Sequence, residues 1–239
     1  MLDINRNKAC IIGCAILALF IVIHVSHCSR QESETALHMI VVRHAEAYTN
    51  LDGTRDMPQQ ERDSLTPRGI EQAEAAGRAL KKRLVARWIS SPAGRAKQTC
   101  EIITAENRVP GELVTDSAFV STRDGVLSDG SPVPWAWREA QWKAGKDPRP
   151  IGGESLSDVV ERVRGKIESL KREYTGQTVV IVTHSDVCAA MVGHAMGTPI
   201  TQRVSLHKVG LAEIVEIRVR GDGLWEMMES SNPSVSSYH

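Results

Sequence analysis

Three short apolar runs, each ending on a polar cluster, constrain this chain more than any other feature. They are His38–Arg43 (HMIVVR), Arg87–Ser90 (RWIS) and Val179–Thr183 (VVIVT). Apolar runs of this length without strict alternation suit strands buried on both faces, as in a parallel sheet. Helical patterns lie between them. Thr66-Pro67 reads as an N-cap with proline at the first helical position, followed by Ile70, Ala73, Gly77, Leu80 and Leu84 on one face. Ser91-Pro92 repeats that start signal before Ala96 to Ile103. A third helix is expected from about Leu156 to Glu173, with Val159, Val160, Val163, Ile167 and Leu170 inward and Gly176 just past its end. A fourth begins near Asp186. Strands alternating with helices of this length predict an α/β three-layer αβα sandwich around a mostly parallel central sheet.

The remaining segments divide the chain. Residues 9–25 form an uncharged apolar stretch after Arg6 and Lys8, intermediate between a signal-peptide core and a membrane span. Either role leaves residues 1–8 cytoplasmic and the rest translocated, as a single-pass anchored or a secreted protein. Residues 26–36 read as a linker, 37–229 as the folded domain and the Ser-rich 230–239 as a disordered tail. Residues 117–150, with Pro132, Pro134, Pro148, Pro150 and three tryptophans, read as an insertion or lid carrying one short helix over Trp135–Ala144. Lys+Arg and Asp+Glu are equal at 29 each, which argues against a nucleic-acid partner held by a general basic field. Cys100 and Cys188 are the two cysteines of the domain and read as buried thiols rather than a bridge.

Each apolar run is followed by chemistry. Arg43-His44-Ala45-Glu46, Ser90-Ser91-Pro92-Ala93-Gly94-Arg95 and Thr183-His184-Ser185 lie just past the strands, where an open α/β sheet builds its ligand crevice. Two guanidinium groups can neutralise a phosphate dianion, and a neutral imidazole can attack phosphorus while a second supports the transferring oxygens. A lone histidine after a strand is more often structural and a lone arginine more often a surface charge. The same polar ending on three separate strands shifts the balance.

These segments resemble the histidine phosphatase superfamily, in its phosphoglycerate-mutase-like branch (branch 1). Arg43-His44-Ala45-Glu46 with Asn50 matches the first motif, Ser90-Ser91-Pro92 with Arg95 and Gln98-Thr99 the second, and Thr183-His184-Ser185 the last. Ile151-Gly152-Gly153-Glu154-Ser155 and Leu65-Thr66-Pro67-Arg68-Gly69 with Gln72-Ala73 also fit, over about Leu37 to Arg218. The resemblance implies a phosphoglycerate-mutase-like fold and His44 as a phosphorylated nucleophile. It implies a phosphate pocket of Arg43, Arg95 and His184, with Asn50 as a further contact and Glu154 close by. No metal or other cofactor is implied. Ala45 and Ser185 stand where the family usually has glycine. The family's acidic proton donor has no Glu counterpart in Asp116–Gly125, so Asp124 is the candidate. An ordinary Asp-Gly turn is the competing reading of that residue. Glu154 is a third possibility, although its place near a helix start suits a capping carboxylate.

The leading expectation is therefore a phosphomonoesterase acting on a phosphorylated small molecule or phosphoprotein through phosphohistidine on His44. A mutase returning the phosphoryl group to a sugar acid and a non-catalytic binder or scaffold are the alternatives. Trp135, Trp137, Trp142, Arg123 and Arg138 are candidates to line the entrance, with packing the commoner role for aromatic residues in an insertion. Oligomeric state is not readable.

Overall fold

The computed structural model describes residues 35–108 and 113–231; the apolar segment 9–25 and its expected membrane role lie outside them. Among the described residues no helix is long and apolar enough to cross a membrane. Six strands form one sheet: β1 (Leu37–Arg43), β2 (Arg87–Ser90), β3 (Val114–Thr115), β4 (Thr178–Thr183), β5 (Ile214–Val219) and β6 (Trp225–Ser231), in the order β3-β2-β4-β1-β5-β6. The first four run parallel, and β5 and β6 extend the sheet antiparallel beyond β1. The three expected strands stand where the apolar runs placed them. The antiparallel extension had no counterpart in the reading of the sequence, and β6 takes Ser230 and Ser231 out of the expected disordered tail.

Helices cover both faces, and α3 (Trp135–Lys143) stands within the expected insertion. On one lie α1 (Pro67–Ala79) and α2 (Gly94–Glu106), whose Ala73, Ala76, Leu80, Ala96, Cys100 and Ile103 pack on Ile40, Val42, Val180 and Val182. On the other, α4 (Leu156–Glu173) and α5 (Ser185–Ala195) pack Val159, Val163, Ile167, Val187 and Met191 on Met39, Val41, Val179 and Ile181. Alternate residues of β1 and β4 thus feed opposite cores, which is why neither strand shows polar alternation. Cys100 and Cys188 are free, buried thiols in these separate clusters, so the sheet itself keeps them apart.

Local signals set the starts of α1 and α4, whereas α2 starts at Gly94, past the expected Ser91-Pro92 signal, with Ala93 at its N-cap and no side-chain cap. The Thr66 side chain accepts from the Gly69 amide at 3.0 Å, and Ser155 and Asp158 form a capping box that starts α4. The expected inward face holds at Ala73, Gly77 and Leu80 and fails at its two ends. Ile70 is 42% exposed and Leu84 92% exposed, because α1 ends at Ala79 and buries Gly69, Gln72, Ala73, Ala76 and Gly77 instead. At its start α1 rests against backbone, where a Cβ on Gly69 would drive into the Glu46 carbonyl.

That approach fixes the loop that follows β1. Gly69→Ala is expected to destabilise the domain by about 1–3 kcal/mol, the usual range for overpacking, as measured by urea unfolding. Unchanged stability would mean that Glu46 and its loop yield freely.

Candidate functional site

The parallel register pairs Arg43 with Thr183, so the residues just beyond, His44 and His184, emerge side by side. The His44 amide donates to the Thr183 carbonyl at 2.8 Å and the Ser91 amide to Val182 O at 2.9 Å, bringing all three chemical segments level. The two imidazoles meet edge to face with centroids 5.3 Å apart, and each is nearly buried, 4% and 3% exposed.

Arg95, on the first turn of α2, joins them. Its Nε donates to His44 Nε2 at 3.2 Å, its Nη2 to His184 Nδ1 at 3.1 Å, and its Nη1 to the Asp63 carboxylate. These bonds fix both tautomers. Arginine only donates, so His44 Nε2 and His184 Nδ1 carry lone pairs. The His44 Nδ1–H then donates to Ala45 O at 2.8 Å, and the His184 Nε2–H to Ser91 Oγ at 2.8 Å. Burial holds the His44 imidazole well below its ordinary pKa, with His184, Arg95 and Arg43 adding to the effect and the Ala45 carbonyl opposing it. Burial, Arg95, Arg43 and Arg162 lower His184 to about 3. Both rings are neutral at physiological pH, the form that an imidazole nucleophile requires.

Arg43 donates from Nη1 to Val209 O at 2.8 Å, while its buried Nε meets no acceptor among the described residues. Thr99 locks the nucleophile loop to α2, accepting from the Ala45 amide at 3.0 Å and donating to Arg95 O at 2.7 Å. Asp63 also accepts from the Gly94 amide at 2.7 Å, so one carboxylate holds Arg95 and caps its helix. The sequence alone marks neither Asp63 nor the Ser91 hydroxyl as a contact of the site. Nothing in the sequence near Asp63 announces its role, because its partner is 32 residues away.

Arg43, His44, Arg95 and His184 are thus brought together, and the other candidates stand apart. Asn50 is exposed, and its side-chain oxygen accepts from the Ala47 amide at 2.9 Å, holding a single 3-10 turn. Glu154 is buried among arginines: its carboxylate takes the Arg162 Nε and Nη2 at 3.1 and 3.0 Å, and the Arg123 amide and Nη2 at 3.1 and 2.9 Å. Those bonds hold its carboxyl below the ordinary value against the opposing effect of burial.

The Asp124 side chain is 68% exposed and lies 3.6 Å from Arg138 Nε. Desolvation lifts its pKa, Arg138 pulls it back and Asp186 lifts it again, leaving it above the ordinary carboxyl value. A cavity of about 470 Å³ opens beside the histidine pair, lined by Arg95, His184, Ser121, Arg123 and Arg162; it is Arg123, rather than Asp124, that reaches it. Arg138 is fully buried and does not line an entrance. It donates to the carbonyls of Arg123, Asp124 and Glu154, tying the insertion to the turn after Gly153. Trp142 is buried too, and Trp135 stacks on its edge. Gly125, at φ +65°, and Gly153 touch backbone to backbone, which explains why the 151–155 motif needs its glycine there. Asp186, which the sequence marked only as a helix start, takes the Ser121 hydroxyl and the Thr122 amide and hydroxyl on one oxygen, anchoring the stretch before Asp124.

Two imidazoles kept neutral in the fold must cost stability in acid. An unfolded histidine protonates below about pH 6.5, whereas His184 resists until about 3. The unfolded state therefore binds more protons, and stability falls as pH drops through that window. His184→Asn is expected to flatten the stability–pH curve by about 1.4 kcal/mol per pH unit between about pH 6 and 4, as read from urea midpoints. A variant curve parallel to wild type would show that His184 is not held neutral.

Comparison with known proteins agrees with this geometry. The model of the histidine phosphatase superfamily (branch 1) matches residues 39–232. A 2,3-bisphosphoglycerate-dependent phosphoglycerate mutase of Methylobacterium radiotolerans is 30% identical over 168 residues, covering 64% of this chain and 76% of the relative. A probable phosphoglycerate mutase of Serratia proteamaculans is 26% identical over 185 residues, covering 74% and 84%. Among solved structures, a mycobacterial glucosyl-3-phosphoglycerate phosphatase aligns with a TM-score of 0.64 at 24% identity, covering 80% of this chain and 97% of that one. The phosphoserine phosphatase of Entamoeba histolytica aligns at 0.62 and 18%, covering 82% and 98%. A match spanning nearly the whole described domain, on a fold that sets two neutral histidines against one arginine at the ends of parallel strands, makes this chain a member of the histidine phosphatase superfamily, branch 1.

Proposed function

We propose that the chain is a phosphomonoesterase that passes its substrate's phosphoryl group through His44. The observation that carries the reading is the His44 tautomer: Nδ1–H is spent on Ala45 O, which leaves the Nε2 lone pair facing the guanidinium of Arg95. Substrate phosphate would exchange its oxygens for the histidine contacts of Arg95, uncovering Nε2. The buried Nε of Arg43 gives a second cationic donor in want of an acceptor.

In the reaction the His44 Nε2–P bond forms as the P–O bond to the alcohol breaks, and an acid protonates the departing oxygen. Water then attacks phosphorus as it returns a proton to that acid, the N–P bond breaks, and inorganic phosphate leaves with His44 restored. Burial in a site of fixed donors strengthens each charge interaction along this path. Asp124 is the proposed proton donor: its raised pKa favours the role, and a rotation away from Arg138 is required for it. Acid assistance is worth roughly 10²–10⁴-fold and matters most for poor leaving groups.

His44→Ala is expected to abolish turnover of an aryl phosphate and the acid-labile phosphoenzyme that quenching should trap in wild type. Full turnover in that variant would overturn the reading. Asp124→Asn is expected to slow alkyl phosphates by roughly 10²-fold or more while sparing activated aryl esters; equal losses on both would remove Asp124 from the role. The carboxylate-free lining of the cavity favours a second reading, a binder of phosphorylated ligands without turnover. Tight phosphate-ester binding with no trapped phosphoenzyme would establish it. A mutase, the activity named for several relatives, would instead interconvert phosphoglycerates in a bisphosphoglycerate-dependent manner. We also propose that residues 9–25 anchor or export the domain, on the strength of their apolar composition.

A further inference from the structure

Asp186 is a buried carboxylate that does not serve its own helix. It stands in the first turn of α5, two residues after His184, and is 1% exposed. A carboxylate there ordinarily favours the helix dipole and the open amides of that turn. Its donors come from elsewhere: the Ser121 hydroxyl at 2.9 Å, the Thr122 amide at 2.6 Å and the Thr122 hydroxyl at 2.5 Å. All three converge on Oδ2, while Oδ1 takes no donor among the described residues. A buried charge is costly unless hydrogen bonds compensate it, and bonds to an ionised acceptor are roughly twice as strong as neutral ones. The carboxylate therefore holds a distant segment more firmly than a neutral side chain would.

That segment is the wall along which a leaving alcohol must depart. Ser117, Val120, Ser121 and Arg123 line the cavity beside Arg95 and His184. Other ties hold the two ends of the wall. Thr183, just before His184, donates to the Phe119 carbonyl at 2.7 Å, and Arg162 of α4 donates to the Ala118 and Val120 carbonyls at 2.6 and 3.1 Å. Arg138 of α3 donates to the carbonyls of Arg123 and Asp124 at 2.9 and 2.8 Å. Ser121 and Thr122 fall between these ties and make no other hydrogen bond among the described residues. Without Asp186 the wall would carry two residues of slack immediately before Arg123 and Asp124.

We infer that Asp186 is a positioning residue for the departure of the alcohol, holding the wall at Ser121–Asp124 in fixed register with His184. The phosphate site and the groups that serve the leaving oxygen then act as one body. The inference rests on the phosphatase reading, and not on which side chain of the wall supplies the proton. The geometry also separates asparagine from alanine at this position. One oxygen takes all three donors, so asparagine can present its carbonyl oxygen there and turn its NH2 to the side where Oδ1 meets no donor. Alanine leaves the three donors without their acceptor.

The test compares 4-nitrobenzyl phosphate, whose alkoxide leaves poorly, with 4-nitrophenyl phosphate, which needs little acid assistance. The ratio of their kcat/KM values reports the steps through cleavage of the ester bond and cancels any loss of folded enzyme. Asp186→Ala is expected to lower that ratio about 10- to 100-fold, the scale of a misplaced acid. Asp186→Asn is expected to keep most of it. Thr122→Val, a milder change, removes one donor from the other side and is expected to lower the ratio about 2- to 10-fold. A ratio indifferent to Asp186→Ala, or to Thr122→Val should the alanine variant not fold, overturns the positioning role and leaves the phosphatase reading standing. Asparagine that lowers the ratio as far as alanine does the same. A loss with Asp186→Ala but none with Asp124→Asn upholds Asp186 and moves the acid to another residue of the wall. Turnover of neither ester by wild type sinks both readings.

Discussion

The parallel pairing of β1 with β4 is the constraint on which the rest depends. It sets Arg43 opposite Thr183 in the centre of the sheet, so the next residue on each strand is a histidine and the two rings are forced together. With Ile40, Val42, Val180 and Val182 packed on one side and Met39, Val41, Val179 and Ile181 on the other, neither strand can slip without turning its side chains into the wrong core. The site is therefore specified by hydrophobic burial before any polar contact is made.

Desolvation then decides the chemistry. Rings that are 4% and 3% exposed cannot hold protons beside Arg95 and Arg43, so both stay neutral and each offers a lone pair to the same guanidinium. Carboxylates and carbonyls brace the cations: Asp63 behind Arg95, Glu154 behind Arg162 and Arg123, and the Val209 carbonyl at Arg43. Each brace comes from a different part of the chain, which spreads the cost of assembling positive charge over several elements.

The insertion is less a lid than a set of struts. Arg138 is wholly buried and bonds three backbone carbonyls, and Asp147 accepts from the Leu156 and Ser157 amides at the start of α4 and from Trp142 Nε1. These contacts hold Arg123–Gly125 against Gly153, so a segment without helical or strand period acquires a defined path along the cavity wall. Asp124, the proposed acid, and Arg123 are consecutive residues of that segment facing different partners: Asp124 faces Arg138 and Arg123 the cavity.

What the sequence determined by itself is whatever short-range physics encodes. Apolar runs without alternation marked β1, β2 and β4, Thr66-Pro67 marked the start of α1, and the polar endings of the three strands named Arg43, His44, Arg95 and His184 as the group that converges. It erred where burial depends on what an element rests against: Ile70 faces solvent because α1 leans on the Glu46 backbone with its neighbour Gly69. It passed over the contacts of Asp63, the Ser91 hydroxyl and Asp186, whose partners lie 32, 93 and 65 residues away. Only the tertiary structure decided that Glu154 braces arginines, that Asn50 caps a turn and that Arg138 is buried, because a charged side chain's role is set by the partner that compensates its desolvation, and that partner is chosen by the fold.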